Sequence, residues 1–141
     1  MRIFCLWSCL GSSIAMSWNE IVDSILKYNG ASCACLAGID GNIWASSPDF
    51  KPSQAEILKM IKVATGTEAE SFTVNGKKVI TVKCGDNELS ATGSDYAVDV
   101  RVLKTMVIIT GNSKPKDIPG VNRLLATAGN AMAEHLSHSG Y

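Results

Sequence analysis

Ser17-Trp18-Asn19-Glu20-Ile21-Val22-Asp23-Ser24-Ile25-Leu26 is the stretch from which the rest of the chain is read. Ser17 followed three residues later by Glu20 has the spacing of a reciprocal helix cap, in which each side chain satisfies a free backbone N–H at the helix start. Ile21, Val22, Ile25 and Leu26 then recur at helical spacing as one apolar stripe, and Asn29-Gly30 offers a left-handed residue to end the helix. Trp18 does not belong to the stripe. It falls in the first turn, where helix ends are normally wet, and the stripe gives it no partner.

Upstream of the cap, Met1-Arg2 precedes Ile3-Phe4-Cys5-Leu6-Trp7-Ser8-Cys9-Leu10 and a run of small residues to Ala15, a loose imitation of a short secretory signal. It is too short to span a bilayer. The five cysteines, at 5, 9, 33, 35 and 84, are odd in number and lack the framework of a disulfide-stapled secreted domain. Met16 stands immediately before the cap. Residues 1–15 are therefore read as an N-terminal extension or a misassigned start outside the fold, and residues 16–141 as one domain, since 141 residues suffice for a single good core. With 46% hydrophobic and 18% charged residues and a formal net charge of zero, the composition is that of a globular protein with no bulk attraction to nucleic acid.

Downstream, Cys33-Ala34-Cys35-Leu36-Ala37-Gly38-Ile39 reads as a buried strand, Asp40-Gly41 as a hairpin turn, and Asn42-Ile43-Trp44-Ala45-Ser46 as the returning strand. Ser53-Gln54-Ala55-Glu56 is a second cap of the same kind, opening a helix through Ile57, Leu58, Ile61 and Ala64 that Gly66 ends. Ser71-Phe72-Thr73-Val74, an Asn75-Gly76 turn and Lys77 to Cys84 make a further hairpin. A short strand at Glu88 to Ala91 follows. Tyr96-Ala97-Val98-Asp99-Val100-Arg101-Val102 alternates like a half-buried strand, and Thr105 to Thr110 is a nearly all-apolar central one. After a polar loop at 111–117, Pro119 at or just before the first turn suits a helix start, with Val121, Leu124, Leu125, Ala128, Met132 and Leu136 as the stripe. No βαβα alternation occurs. The expected fold is α+β, an antiparallel sheet of about six to seven strands with the terminal helices on one face and the shorter internal helix on the other.

Compact catalytic and cofactor signatures are absent: the sequence has no GxGxxG, GxxxxGK, GxSxG, HExxH or CxxC. Neither an enzyme nor a bound cofactor is expected. Cys33-Ala34-Cys35 with Cys84, His135 and His138 lacks the paired spacing of a closed zinc site, and in a strand both thiols would share one face as small apolar fillers. A thiol nucleophile at Cys33 or Cys84 would need an activated, accessible thiolate. Lys77, Lys78, Lys83, Arg101 and Lys104 lie in or next to neighbouring strands, as either a positive patch or an ordinary solvated face.

Ser17 to Asp23, Ile39-Asp40-Gly41-Asn42-Ile43-Trp44-Ala45, Ser71-Phe72-Thr73-Val74-Asn75-Gly76 and the ending His135-Leu136-Ser137-His138-Ser139-Gly140-Tyr141, in that order, resemble the profilins, and the animal type in particular. The likeness spans residues 16–141. It implies a profilin-like fold and a cytoplasmic, cytoskeletal protein that binds monomeric actin, proline-rich segments and phosphatidylinositol bisphosphate head groups, without nucleic-acid binding or a membrane span. A polyproline II helix is extended and its prolines carry no N–H, so its receptor offers aromatic faces and donors aimed at carbonyls. The resemblance assigns that role to Trp18, Trp44, His135, Leu136 and Tyr141. Ile21 stands where the family often has a tyrosine, which implies weaker or altered proline-peptide binding. For actin the resemblance points to Val74, Lys78, Lys83, Asn122, Arg123 and Asn130. Small residues Ala126, Ala128, Gly129 and Ala131 in the last helix imply modest affinity. For phosphoinositides it points to Lys78, Lys83, Arg101 and Lys104. The competing class is a longin- or roadblock-like scaffold, also a sheet with helices, which would have no need of the tryptophans.

Overall fold

The computed structural model describes residues 17–48, 50–66 and 70–141. The expectation for residues 1–15, with Cys5 and Cys9, lies outside the described residues. Three helices and seven strands are present among them, in the order α1 (Trp18–Leu26), β1 (Cys33–Gly38), β2 (Ile43–Ser46), α2 (Gln54–Thr65), β3 (Ser71–Val74), β4 (Lys77–Gly85), β5 (Glu88–Thr92), β6 (Ala97–Val102), β7 (Met106–Asn112) and α3 (Val121–His138). The strands form one sheet in the order β2-β1-β7-β6-β5-β4-β3, with every neighbouring pair antiparallel.

Both predicted helix caps form. Ser17 Oγ accepts from the Glu20 N–H at 3.2 Å while Glu20 Oε1 accepts from the Ser17 N–H at 3.0 Å. Ser53 and Glu56 repeat the exchange at 3.1 and 2.8 Å. The α1 helix stops at Leu26, with Lys27 as a right-handed cap, so left-handed Gly30 belongs to the following turn rather than to the helix end. The β3–β4 hairpin has Asn75 and Gly76 both at positive φ, 53° and 83°, the backbone that suits the twist of a two-residue turn.

The core has two faces because adjacent strand residues point opposite ways. Cys33, Cys35, Ala37, Val98, Val100, Val107 and Ile109 meet Ile57, Met60, Val63 and Ala64 of α2 on one side. Ala34, Leu36, Met106 and Ile108 meet Ile21, Val22 and Ile25 of α1 and Met132 and Leu136 of α3 on the other. The two cysteines do share a face as fillers. Burial pushes both thiols up to about 12, so neither offers a thiolate near neutral pH.

Two local expectations change. The alternation in β6 predicts a half-solvated strand, but Ala97 to Arg101 is buried throughout, because α3 lies over its polar side and covers Asp99 and Arg101. The last helix begins at Val121, with Pro119 just before its first turn: Gly120, left-handed at φ 72°, precedes it without a side-chain cap, but Pro115–Asp117 forms a short 3-10 turn where a plain loop is expected.

Candidate functional site

The anomaly in α1 is resolved by contacts from the two ends of the domain. The Trp18 ring centroid lies 4.9 Å from that of Trp44 at an interplanar angle of 42°, and 5.0 Å from that of Tyr141 at 73°, close to edge-on. Such tilted and edge-to-face pairs satisfy the ring quadrupoles and add to area burial. Trp18 and Tyr141 are half-buried against the core beneath, while Trp44 remains 37% exposed. The result is an aromatic ledge that is anchored from below and open above.

Each ring is placed by a local device. The cap fixes Trp18 as the first helical residue. Trp44 sits where the β1–β2 register shifts, so this residue has no cross-strand partner and turns toward α1. After α3, Gly140 is left-handed at φ 95°, and the chain reverses so that the Tyr141 N–H donates to the Leu136 carbonyl at 3.1 Å. The Tyr141 carbonyl accepts from the Thr105 N–H at 3.3 Å, which ties the end of the chain to the sheet.

His135 is exposed on α3 near this ledge in sequence, and His138 is exposed as well. Leu136 is corrected: at 2% exposure it is floor, packed among Ile21, Ile25 and Met132, and presents no surface to a ligand. Ile21, at 4%, is part of the same floor, so an aromatic at this position is not simply missing from the ledge. Asp40 is a neighbour that sequence reading passed over. A β-carbon built on Gly38 would fall 2.8 Å from Asp40 Oδ1 and 3.2 Å from Trp44 Nε1, so the carboxylate and the indole N–H flank one glycine. The backbone and side-chain N–H groups of Asn42 hold the Asp40 carboxyl below the usual range.

A second surface lies beside α3. Lys78 and Lys83 on β4 are exposed, and between them Ile80 and Val82 are 61% and 63% exposed, an apolar pair the sequence did not single out. Nothing in a Val-Ile-Thr-Val run says which side is covered. Val82 follows Lys78 and Ile80 on the exposed face by strand alternation, opposite buried Val79 and Thr81, and the register shift between Thr81 and Lys83 leaves it without a cross-strand partner. Across β5, Asn122 donates to the Ala91 carbonyl at 3.2 Å, and Asn130 accepts from Arg101. Arg123 is exposed on α3.

Two expected members are not on this surface. Val74 is fully buried under α2, on the opposite face of the sheet. Arg101 is buried at 6%, its Nε donating to Asp99 Oδ2 at 2.9 Å and a terminal nitrogen to Oδ1 at 3.2 Å, so it is no open cation for a phosphate. Lys104 is exposed but sits in the β6–β7 turn beside Thr105, on the Tyr141 side, so the basic residues do not make one patch. Among the described residues no cluster of His, Cys, Asp and Glu is arranged to hold a metal, and no helix is long and apolar enough to cross a membrane.

The fold and the ledge define a class: a small α+β domain whose terminal helices share one sheet face and which offers stacked aromatics where they meet. The profilin family model matches residues 16–141, and the chain belongs to the profilin family. It is 32% identical over 104 residues to Profilin-2 of Acanthamoeba castellanii, covering 70% of this chain and 82% of that one. It is also 32% identical over 130 residues to Profilin-P of Physarum polycephalum, covering 89% of this chain and all of that one. Among solved structures, Acanthamoeba castellanii profilin IA superposes with a TM-score of 0.76 at 20% identity, over 89% of this chain and 100% of that one. LokiProfilin2, solved in complex with rabbit actin, superposes at 0.69 with 16% identity, over 87% and 97% of the two chains. Mouse profilin IIa, solved with a double repeat from the FH1 domain of mDia1, superposes at 0.67 with 19% identity, over 89% and 100%. Family membership replaces the longin- or roadblock-like reading.

Proposed function

We propose that this chain binds monomeric actin and proline-rich segments, and so acts as a regulator of the actin cytoskeleton in the cytoplasm. The observation that carries the reading is the ledge of Trp18, Trp44 and Tyr141, a partly exposed aromatic stack built from both ends of the domain. Flat faces suit the rings of a polyproline II helix, and the indole N–H groups, the Tyr141 hydroxyl and His135 supply donors for its carbonyls. The profilin solved with an FH1 repeat supports this use of the fold, and the profilin solved with actin supports the other. For actin we assign the surface made by Lys78, Ile80, Val82 and Lys83 with Asn122, Arg123 and Asn130. An apolar centre with a polar rim is the usual build of a protein interface. Lys78 and Lys83 are the cations we assign to phosphoinositide head groups, in competition with actin. That attraction weakens as salt rises.

Intrinsic tryptophan fluorescence during titration with a long proline peptide is the test. A saturable change is expected, since Trp18 and Trp44 would both be covered. A folded protein whose emission does not respond would overturn the proline reading.

A further inference from the structure

Arg101 reaches both banks of the surface beside α3 from underneath. Its Nε and one terminal nitrogen grip Asp99, and the other terminal nitrogen donates to Asn130 Oδ1 on α3 and pairs with Glu88 Oε2 on β5 at 3.0 Å. Asp99 is 1% exposed, whereas the Glu88 side chain is 44% exposed and Asn130 faces solvent. One buried guanidinium, with its donors in a fixed fork, thus sets the relative position of two exposed polar groups on different elements. A cavity of about 70 Å³, lined by Lys83, Ser90, Asp99, Arg101 and Ala126 among others, lies beside the pair.

We propose that Arg101 is a positioning residue for the α3–β5 surface, holding Asn130 of α3 in register with Glu88 of β5 only while Asp99 is ionised, so that acidification loosens the surface for its protein partner. The effect on a partner rests on the reading of this surface as the actin site; the coupling of Asp99 to Asn130 does not.

The surroundings of Asp99 give the device its sensitivity. Arg101 faces it from its own strand, Ser90 stands opposite on β5 with Glu88 two residues away, Thr110 stands opposite on β7, and Lys83 of β4 lies across the cavity. From α3 come Ala126, Gly129 and Asn130, none of which titrates. Burial pushes the Asp99 carboxyl up to about 6, against the hydrogen bond and charge of Arg101, with Glu88 adding to the rise. A protonated Asp99 loses its charge attraction for the guanidinium. Arg101 stays positive but is held less firmly through Nε and its second terminal nitrogen, so the nitrogen that bridges Asn130 and Glu88 is free to shift.

The test has two parts. In the free protein, NMR follows the Asn130 side-chain amide and the Arg101 Nε–H from about pH 7.5 to about pH 4.5. The wild type is expected to move both together with a midpoint near about 6, and Asp99→Asn to hold both near their low-pH positions. A wild-type Asn130 amide that does not move over this range overturns the proposal whatever the partner. Monomeric actin is then titrated at about pH 7.5 and about pH 6. Asp99→Asn is expected to bind about fivefold more weakly than wild type at the higher pH and to approach it at the lower, while both bind a proline peptide at the ledge alike. An Asp99→Asn protein with wild-type actin affinity at both pH values overturns the link to the surface. A wild type that binds no actin at either pH refutes the actin reading, and with it that link, but leaves the Asn130 titration to stand or fall by itself.

Discussion

Gly129 lies over the Asp99 carboxylate so closely that a β-carbon there would overlap Oδ2 and come within 3.3 Å of Arg101 Nε. In an exposed helix interior, replacing glycine by alanine stabilises by up to about 1 kcal/mol. Here the added methyl meets a buried, doubly hydrogen-bonded carboxylate that has nowhere to go, and overpacking of this kind costs about 1–3 kcal/mol. The second effect is the larger, so Gly129→Ala is expected to lower stability in urea unfolding. A more stable variant would show that α3 can lift without loss.

Asp99 also sets the sign of a pH effect on stability. Its folded carboxyl titrates at about 6 rather than at an ordinary 3.8, so between these values the folded state binds the extra proton. Stability from this group therefore rises as pH falls from about 6 toward 4, and its ionised form at neutral pH costs about 3 kcal/mol. Other carboxylates pull the opposite way, so the measurement is a difference. The stability of wild type minus that of Asp99→Asn, by denaturant unfolding at several pH values, is expected to decline with rising pH through this window. A flat difference contradicts it.

Glu56 works in the other direction. Partial burial pushes its carboxyl up, but hydrogen bonds from the Thr73 hydroxyl and the Gly76, Ser53 and Asn75 N–H groups outweigh this and hold it below the usual range. One side chain thus caps α2 and closes the β3–β4 turn. Its contribution is present above the unfolded carboxylate range and is lost as pH falls through the lowered folded value. Removing a cap and further hydrogen bonds to a charged acceptor is expected to cost about 2–3 kcal/mol in Glu56→Ala. Thermal unfolding of that variant at neutral pH checks the size, and a cost under about 0.5 kcal/mol would show that solvent replaces the carboxylate.

What the sequence made legible was local. The two Ser-x-x-Glu caps and the Asn75-Gly76 turn carry their reason within a few residues, as does the anomaly of Trp18, and the structure shows both caps, the turn and a partner for the tryptophan. Burial set by distant elements was not legible. Val98-Asp99-Val100-Arg101-Val102 alternates as a half-solvated strand would, and only Gly129, remote in sequence, shows that a helix backbone presses on its polar side. Val74 and Val82 are the same residue type in one hairpin, yet α2 covers the first while the second points to the opposite face of the sheet, which is left open there. Leu136 sits between His135 and Ser137, both exposed, and its helical phase puts it in the floor.

Ledge and floor are separable by mutation. Trp44→Ala removes a part-exposed ring and is expected to weaken proline-peptide binding at least about tenfold, as loss of an aromatic anchor does, at a smaller cost in stability than emptying the floor beneath it. Leu136→Ala empties a fully buried site beneath it and is expected to cost about 2–5 kcal/mol of stability. Fluorescence titration and thermal unfolding of both variants make the comparison. If Trp44→Ala bound the peptide as wild type does, the ledge would not be the peptide site.

Ile80 and Val82 discriminate between an apolar and a purely basic surface beside α3. Both side chains are more than half exposed, so replacing them with serine removes few folded contacts and is expected to change stability by less than about 0.5 kcal/mol. If actin covers this surface, each desolvated branched side chain contributes about 1–2 kcal/mol, and the double variant Ile80→Ser, Val82→Ser weakens binding by at least about tenfold. Lys78→Glu and Lys83→Glu act differently. Rim charges govern encounter more than the closed complex, so their effect is expected in the association rate and to shrink as salt rises. Association and dissociation rates for monomeric actin at low and high salt separate the two. A double serine variant with unaltered dissociation would move the contact away from β4 altogether.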